Sequence, residues 1–459
     1  KMNDLQLHLN DNYIFLENYS TSEGAMSAYE GFRMESDVKE GGLNQADLTS
    51  DDMYYTKAEM KSMIQNYRKL GLDIIPEFDT PAHSLSFTKV RPDLRFGTTG
   101  RQNDHFNLST KYDESLAFIE SIWDEYIKGD DPVFDQDTTV NIGTDEYDGQ
   151  YTEQFRKFTD DLLAYIQDNG NTVRLWGSLT ARNGSTSVRS EGVPMNIWND
   201  GWANPKSMYQ QGYDLIDMND GSVYIVPAAG YYADYLSRKS MYNYDPATRM
   251  GVPSGSEQTL GGAYAIWNDM VDQRANGLTE MEIYDRFDDA APYYAAALWG
   301  KSGEVSFTTA QQTSENVGEA PGVNAYDKVD SETDEILSYD EDGLSDKSAN
   351  EYDAENGKNA EVKDGELVLK GGESYISTPL DKVGPEKELS FDITLTQPAE
   401  PGQILFEAEK DEDHEAYSTH NIRIMEDGTL GFTREGYDYS FGYKLPVNQK
   451  VSLTIRTGH

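Results

Sequence analysis

The sequence predicts an α/β protein: a (β/α)8 TIM-type barrel followed by an antiparallel β-sandwich. Three observations carry that prediction. Over the first 300 residues, short runs of β-formers alternate with amphipathic helical patterns, which implies parallel strands joined by helical crossovers. Each strand-like run ends in a polar or aromatic cluster, which is where such a barrel places its chemistry. Beyond about residue 346 the helical periodicity stops, and short alternating runs separated by Gly and Asp turns take over. A doubly wound open sheet should carry a Gly-rich dinucleotide loop after its first strand, and none is present.

In chain order, LQLHLN (5–10) alternates apolar and polar residues and reads as a strand, with Asp11 and Asn12 at its end. An irregular, Gly-bearing insertion runs to about residue 55. Thr56-Lys-Ala-Glu59 is a capping box. It starts a helix with Met60, Met63, Ile64, Tyr67 and Leu70 on one face, stopped by Gly71. The strand 73–78 ends in Asp79-Thr80-Pro81-Ala82-His83, and a helix over 113–128 follows. The stretch 138–148, TTVNIGTDEYD, begins as a buried strand and ends in two adjacent carboxylates, Asp145 and Glu146. Neighbouring strand residues point to opposite faces, so both acids can serve one site only if the chain bends. Gly143 marks a bend or a close backbone approach. A helix over 152–167 turns Phe155, Phe158, Leu162 and Ile166 inward. Further strands are predicted at 173–176, 195–198, 214–219 and 261–267, with a short helix at 205–211 and Tyr224 in a loop. A last helix runs from the capping box Thr279-Glu280-Met281-Glu282 to about residue 299. Seven such units in 300 residues favour a barrel whose first unit lies upstream of Lys1.

This reading divides the chain into an N-terminally truncated barrel domain (1–300), an acidic linker (301–345) and a truncated, lectin-like β-sandwich (346–459). The sandwich rests on the runs ELVLKG, YISTPL, LSFDITLT, QILFEAE, NIRIME, LGFTRE and VSLTIRT. With 82 acidic against 38 basic residues, the formal net charge is −44, which excludes nucleic acid and anionic membrane surfaces as partners. There is no cysteine, hence no disulfide and no thiolate metal site. No apolar run approaches the roughly 18 residues of a transmembrane helix. Aromatic residues make up 12%, with 31 tyrosines, which suits both cores and sugar stacking. No HxH or HExxH pattern occurs, and neither a metal nor a cofactor is expected.

The run KMNDLQLHLNDN, then IIPEFDTPAHS, then NIGTDEY, then the strand ends LW, IW and AIWND resemble glycoside hydrolase family 20 over roughly residues 1–300. Within that family the chain is most similar to bacterial lacto-N-biosidases. Ordinary β-N-acetylhexosaminidases usually read GGDE on the catalytic strand and Trp-x-Glu on the last. Here the sequence reads GTDE and Trp267-Asn268-Asp269. The resemblance implies a retaining exo-glycosidase without an enzyme nucleophile, because the substrate's own 2-acetamido oxygen forms an oxazoline intermediate. By motif match Glu146 is the general acid/base and Asp145 the anion that orients the acetamide. Asp145 is expected to stay ionised and the Glu146 pKa to be raised. Tyr224 corresponds to the tyrosine that donates to the acetamide oxygen. Trp176, Trp198 and Trp267 would wall the sugar pocket. Asp269 would bind sugar hydroxyls, and its short side chain would leave room for a galactose beyond the GlcNAc. His83 and Asp11 resemble a pair that contacts the general acid, with Asp79 in the same network. The family's sugar-binding arginine lies on the first barrel strand, upstream of Lys1.

The implied partner is an oligosaccharide or glycoconjugate, from whose non-reducing end lacto-N-biose (Gal-β1,3-GlcNAc) is released. A β-N-acetylhexosaminidase is the alternative, and a non-catalytic glycan-binding protein a second one. The substrate class implies a secreted or cell-surface bacterial protein. Glycan binding and a spacer role are both open for the C-terminal β-domain.

Overall fold

The computed structural model describes residues 2–38, 47–270, 278, 280–300, 302–318, 329–340, 343–380, 387–407, 421–434 and 437–457. The chain opens on β1 (Asp4–His8), then β2 (Asn10–Asn12), α1 (Ser22–Met26) and β3 (Glu30–Phe32). Helix α2 (Lys57–Lys69) leads to β4 (Asp73–Thr80), α3 (Leu85–Val90) and α4 (Tyr112–Ile127) lead to β5 (Val140–Gly143), and α5 (Thr152–Asp168) leads to β6 (Val173–Trp176). There follow β7 (Pro194–Ile197), α6 (Pro205–Gln210), β8 (Asp214–Asp217), α7 (Asp220–Val223), β9 (Tyr224–Ile225), α8 (Arg238–Tyr242) and α9 (Pro246–Met250). β10 (Thr259–Gly262), β11 (Ala265–Ile266) and α10 (Glu280–Leu298) complete this part. No described helix is long and apolar enough to cross a membrane.

Strands β1, β4, β5, β6, β7, β8 and β10 form one seven-stranded sheet in that order. Every neighbouring pair is parallel. The sheet is curled. Strands lie about 4.8 Å apart, so in a flat sheet β1 and β7 would be about 19 Å apart. Instead Asn196 of β7 donates to Gln6 of β1 across the concave face at 3.1 Å. This is the geometry of a TIM-type barrel.

Alternation along the strands separates two environments. Ile74, Phe78, Val140, Ile142, Val173, Leu175, Met195, Ile197 and Leu215 belong to the apolar core that also takes Ile119, Ile122 and Trp123 of α4 and Phe155, Phe158, Leu162 and Ile166 of α5. Full burial of each such side chain stabilises by about 1.5–3 kcal/mol. The opposite parity (Gln6, Glu77, Asn141, Trp176 and Asn196) turns polar groups into the barrel, where Glu77 bonds both Gln6 and Trp176.

The capping box at the start of α2 is present, with Thr56 Oγ1 accepting from Glu59 N–H at 3.1 Å and Glu59 Oε2 accepting from Thr56 N–H at 2.8 Å. Met60 and Ile64 of α2 are buried, whereas Tyr67 and Leu70, expected on the same face, are exposed at its end. The run 261–267 is two strands, not one. β10 closes the barrel sheet against β8, while β11 leaves it to pair with β9. The break falls at Ala263-Tyr264, while Gly261 (φ +134°) lies within β10, beside its register shift. Tyr224 therefore opens a short strand instead of sitting in a loop. Thr279 of the predicted capping box lies outside the described residues.

Two compact units divide the chain: residues 1–269 with 289–316, and residues 270–288 with 317–459. The stretch read as a linker contains the helix α11 (Phe307–Val317). Ser306 caps it by accepting from Thr309 N–H at 3.1 Å, and Phe307 packs on Tyr242 and Tyr293 with ring centroids 5.8 and 5.6 Å away. Phe307 and Ala310 are half-buried against this cluster, a packing that composition did not suggest.

In the second unit the described strands are β12 (Glu355–Lys358), β13 (Ala360–Lys363), β14 (Glu366–Leu369), β15 (Tyr375–Ser377), β16 (Glu388–Thr394), β17 (Ile404–Glu407), β18 (Asn421–Ile424), β19 (Leu430–Arg434), β20 (Tyr437–Tyr443) and β21 (Lys450–Arg456). All pair antiparallel, as β12 with β15, β13 with β14, β16 with β21, and a four-stranded β17-β18-β19-β20 sheet.

Candidate active site

The bend required after β5 is made by the backbone. Gly143 (φ +72°), Thr144 (φ +76°) and Glu146 (φ +42°) all lie in the left-handed region. Gly143 is needed for a second reason. A Cβ there would lie 2.5 Å from the Cα of Asp79 and collide with its carboxylate. The same carboxylate accepts from Thr144 N–H at 3.2 Å, tying the bend to the end of β4. Both acids then turn toward His83, whose Nε2 lies 3.5 Å from Glu146 Oε2 and 4.0 Å from Asp145 Oδ2.

His83 is itself left-handed (φ +52°). Asn10 holds the segment by donating to the carbonyls of Asp79 and His83 at 2.9 and 3.0 Å and accepting from Asp79 N–H at 2.7 Å. His83 Nδ1 lies 3.0 Å from Asp11 Oδ1. Asp11, His83, Asp79, Asp145 and Glu146 thus converge. Sequence reasoning missed two neighbours. Arg101, from a short 3-10 turn, places Nη1 3.3 Å from Glu146 Oε2. His8 bridges Asp11 Oδ2 at 2.7 Å and Glu77 Oε1 at 2.6 Å.

The charge balance of the two acids is the reverse of the one expected. Burial raises the pKa of Asp145, and the nearby His83 only partly offsets it. Burial also pushes Glu146 up, but the hydrogen bond and charge of His83, together with Arg101, outweigh it and leave Glu146 below its ordinary range. His83 faces both acids, but Arg101 adds its charge at Glu146. Asp79 is raised well above the carboxylate range by its enclosure and by the charge of Asp145. Its carboxyl lies within 4.8 Å of the facing His83 and Asp145 atoms.

The predicted aromatic wall is a single cluster. Trp176, Trp198 and Tyr224 are buried together, with Trp267, Trp202 and Tyr232 packed against them. Trp267 stands 6.0 Å from Trp176, 5.8 Å from Tyr224 and 4.9 Å, edge-on, from His8. Burial raises the Tyr224 phenol well above its ordinary pKa, and the Asp145 charge adds to that. Asp269 accepts a 2.8 Å hydrogen bond from Tyr231, a half-exposed residue.

Two triples of ligand-type atoms, His8/Glu77/Asp79 and Asp79/His83/Asp145, lie within 4.8 Å among the described residues. Both nitrogens of His8 are already bonded to carboxylates, so a cation there would have to break one of those bonds.

Residues 1–299 match the family described as glycosyl hydrolase family 20, catalytic domain. The chain belongs to glycoside hydrolase family 20. It is 23% identical over 259 residues to a lacto-N-biosidase of Bifidobacterium bifidum, covering 50% of this chain and 22% of that protein. A probable beta-hexosaminidase of Arthroderma benhamiae is 25% identical over 319 residues, covering 55% of this chain and 49% of that protein. The beta subunit of human beta-hexosaminidase is 24% identical over 247 residues, covering 48% and 41%. This family 20 chain therefore spans half or less of the length of these relatives. Among solved structures, the beta-N-acetylhexosaminidase of Streptomyces coelicolor is similar at 17% identity with a TM-score of 0.46, covering 71% of this chain and 66% of that one.

Proposed function

We propose that this protein is a retaining exo-glycosidase that uses substrate-assisted catalysis to release lacto-N-biose from the non-reducing end of milk- or mucin-type glycans. The observation that carries the mechanism is the state of Asp145. Its Oδ2 faces His83, whereas Oδ1 is buried with no hydrogen-bond partner among the described residues. A buried acceptor left unpaired costs about 1–3 kcal/mol, which an N–H from a substrate acetamide would recover. Glu146 faces the same His83 nitrogen, Nε2, and is the more exposed of the two acids, at 26% against 16%.

In the first step Glu146 gives its proton to the leaving oxygen, the acetamide oxygen bonds to the anomeric carbon, and the glycosidic bond breaks. Asp145 stabilises the positive charge that develops on the acetamide N–H. In the second step the Glu146 carboxylate takes a proton from water, whose oxygen bonds to the anomeric carbon and opens the oxazoline ring. Tyr224 donates its hydroxyl to the acetamide oxygen, and Trp176, Trp198 and Trp267 enclose the sugar. Substrate that covers Glu146 and moves Arg101 off its Oε2 pushes the Glu146 pKa back up, as the acid step requires.

The disaccharide reading is supported by Asp269 and by the similarity to a lacto-N-biosidase. A second reading, a β-N-acetylhexosaminidase removing single GlcNAc or GalNAc residues, is favoured by Tyr231. Its phenol bonds Asp269, the residue whose short side chain the disaccharide reading relies on to leave room for a second sugar. Turnover of p-nitrophenyl lacto-N-bioside against p-nitrophenyl N-acetyl-β-glucosaminide decides between them, and preference for the monosaccharide overturns the first reading. Glu146→Gln should lower kcat/KM on an unactivated glycan by about 10²–10⁴. Unchanged hydrolysis would remove Glu146 from the acid role.

This substrate class also supports an extracellular, bacterial setting. For residues 346–459 a lectin-like sandwich is supported by one apolar cluster that joins Ile393, Val451 and Leu453 of the β16/β21 pair to Ile422, Ile424 and Leu430 of the four-stranded sheet.

A further inference from the structure

The hydrogen bonds around Glu146 do not stop at Asp11. They continue as a line of alternating acids and imidazoles: Glu146, His83, Asp11, His8, Glu77. We propose that His8 and Glu77 are positioning residues, which hold Asp11 and through it His83 so that the general acid and the tryptophan wall share one anchored frame. This rests on the reading of Glu146 as the acid.

The anchor is Glu77. Its side chain is fully enclosed, and it accepts from His8 Nδ1 at 2.6 Å, from Trp176 Nε1–H at 2.8 Å and from the Gln6 amide. Three donors, two from β1 and one from β6, fix a buried carboxylate that burial would otherwise destabilise. At the other end Asp11 is 37% exposed, and nothing about its burial would stop its carboxylate from turning. What fixes its plane is that each oxygen has its own partner. Oδ2 takes His8 Nε2 at 2.7 Å, and Oδ1 takes His83 Nδ1 at 3.0 Å and the Asn12 N–H at 2.7 Å. Remove His8 and Oδ2 loses that bond, while both bonds to Oδ1 remain.

The line also fixes charge. Each nitrogen of His8 faces a carboxylate, which is only an acceptor, so both nitrogens must carry protons and the ring is an imidazolium. Burial works against that charge, but Glu77 and Asp11 outweigh it. The ring's edge contact with Trp267 and the Trp176 bond to Glu77 join the same frame to two of the three wall tryptophans. The other charged groups facing the line are Asp79 beside His8, Asp145 and Arg101 around His83 and Glu146, and Asp269 beside Asp11 and His83.

The test uses two amides of different reach. In His8→Gln the amide nitrogen can take the place of Nε2 and keep the bond to Asp11. In His8→Asn it can take the place of Nδ1 and keep only the bond to Glu77. Kinetics on whichever aryl glycoside the wild type hydrolyses, across pH, should show kcat falling about 10–100-fold in His8→Asn with KM little changed, and a smaller fall in His8→Gln. Both variants remove one positive charge from the line, so the alkaline limb of kcat/KM should move to higher pH in each. Should either variant fail to fold, Glu77→Gln gives a readout independent of activity. The His83 imidazole, followed by NMR, should titrate at a different pH from the wild type. Equal kcat in the two His8 variants with wild-type pH limbs overturns the proposal, as does an unmoved His83 titration in Glu77→Gln. If Glu146→Gln itself retains full activity, the acid assignment fails instead, and the two failures are distinct.

Discussion

Replacing Gly143 by alanine tests the bend on which the site depends. Two costs add. An L-residue at φ +72° pays about 1–2 kcal/mol for the left-handed conformation. The new methyl also meets Asp79, at 2.5 Å from its Cα and closer still to its carboxylate. β4 cannot retreat, because it is paired on both sides, with β1 and β5. Overpacking of this kind costs about 1–3 kcal/mol. Reduced freedom of the unfolded chain returns about 0.4–1 kcal/mol. Gly143→Ala should therefore lose roughly 2–4 kcal/mol in urea unfolding followed by tryptophan fluorescence. Because the clash falls on the residue that holds Thr144 N–H, kcat should fall at least about 10-fold even where the protein is folded. Gly129→Ala is the control. Its φ is +103° and its Cβ would meet nothing within 4 Å, so only the backbone cost of about 1 kcal/mol applies. If the two variants unfold within about 0.5 kcal/mol of each other, the close approach of Asp79 has no energetic weight.

Trp176→Phe leaves the enclosed Glu77 one donor short and should destabilise by about 1.5–3 kcal/mol, whereas Trp198→Phe loses only a 3.0 Å bond to the Gly177 carbonyl and should cost about 0.5–1.5 kcal/mol. Reversal of that order in urea unfolding would show that Glu77 does not depend on the indole. Asp11 sets a pH window. Burial raises its pKa, but the charge of His83 and the bonds from His8 and His83 hold it well below the usual range. It contributes stability above the unfolded value of about 3.9 and loses it as pH falls. His8 and His83 are raised, so they contribute below about 6.5 and lose stability as pH rises through their folded values. The difference in stability between wild type and Asp11→Asn should thus be greatest between about pH 4 and 6.5, and a difference growing from pH 6 to 9 would refute the assignment.

Much of this site is legible in the chain because barrel chemistry sits at strand ends. Asp79, Asp145, Trp176, Trp198 and Trp267 each stand at or just beyond the end of a strand, where polar residues interrupt an apolar run. His8 and Glu77 are harder to see for a physical reason. They sit within strands, and only parity distinguishes them from surface polar residues. Gln6 and His8 alternate with Leu5, Leu7 and Leu9, and Glu77 with Phe78, so the clue was which face the leucines take. Arg101 left no local signal, since it reaches Glu146 from an irregular turn across 45 residues of chain. The split of 261–267 was hidden because Ala263-Tyr264, where the chain changes partner from β8 to β9, carries no turn residue to mark it.

The two acids are adjacent in sequence yet held in opposite electrostatic states, and the proposed chemistry makes sense of that opposition. Without substrate, Asp145 has a buried oxygen lacking a donor and a raised pKa, while Glu146 has two cations beside it and a lowered one. Each is unsuited to its step. An acetamide N–H corrects the first by giving Asp145 Oδ1 its missing donor, and a leaving group that covers Glu146 corrects the second by displacing Arg101. One ligand group is needed for each acid. A substrate carrying a 2-hydroxyl in place of the acetamide supplies the aglycone but lacks the group that would both orient on Asp145 and attack the anomeric carbon. It should bind the tryptophan wall and inhibit without turning over, and its hydrolysis at a comparable rate would refute the roles given to both acids.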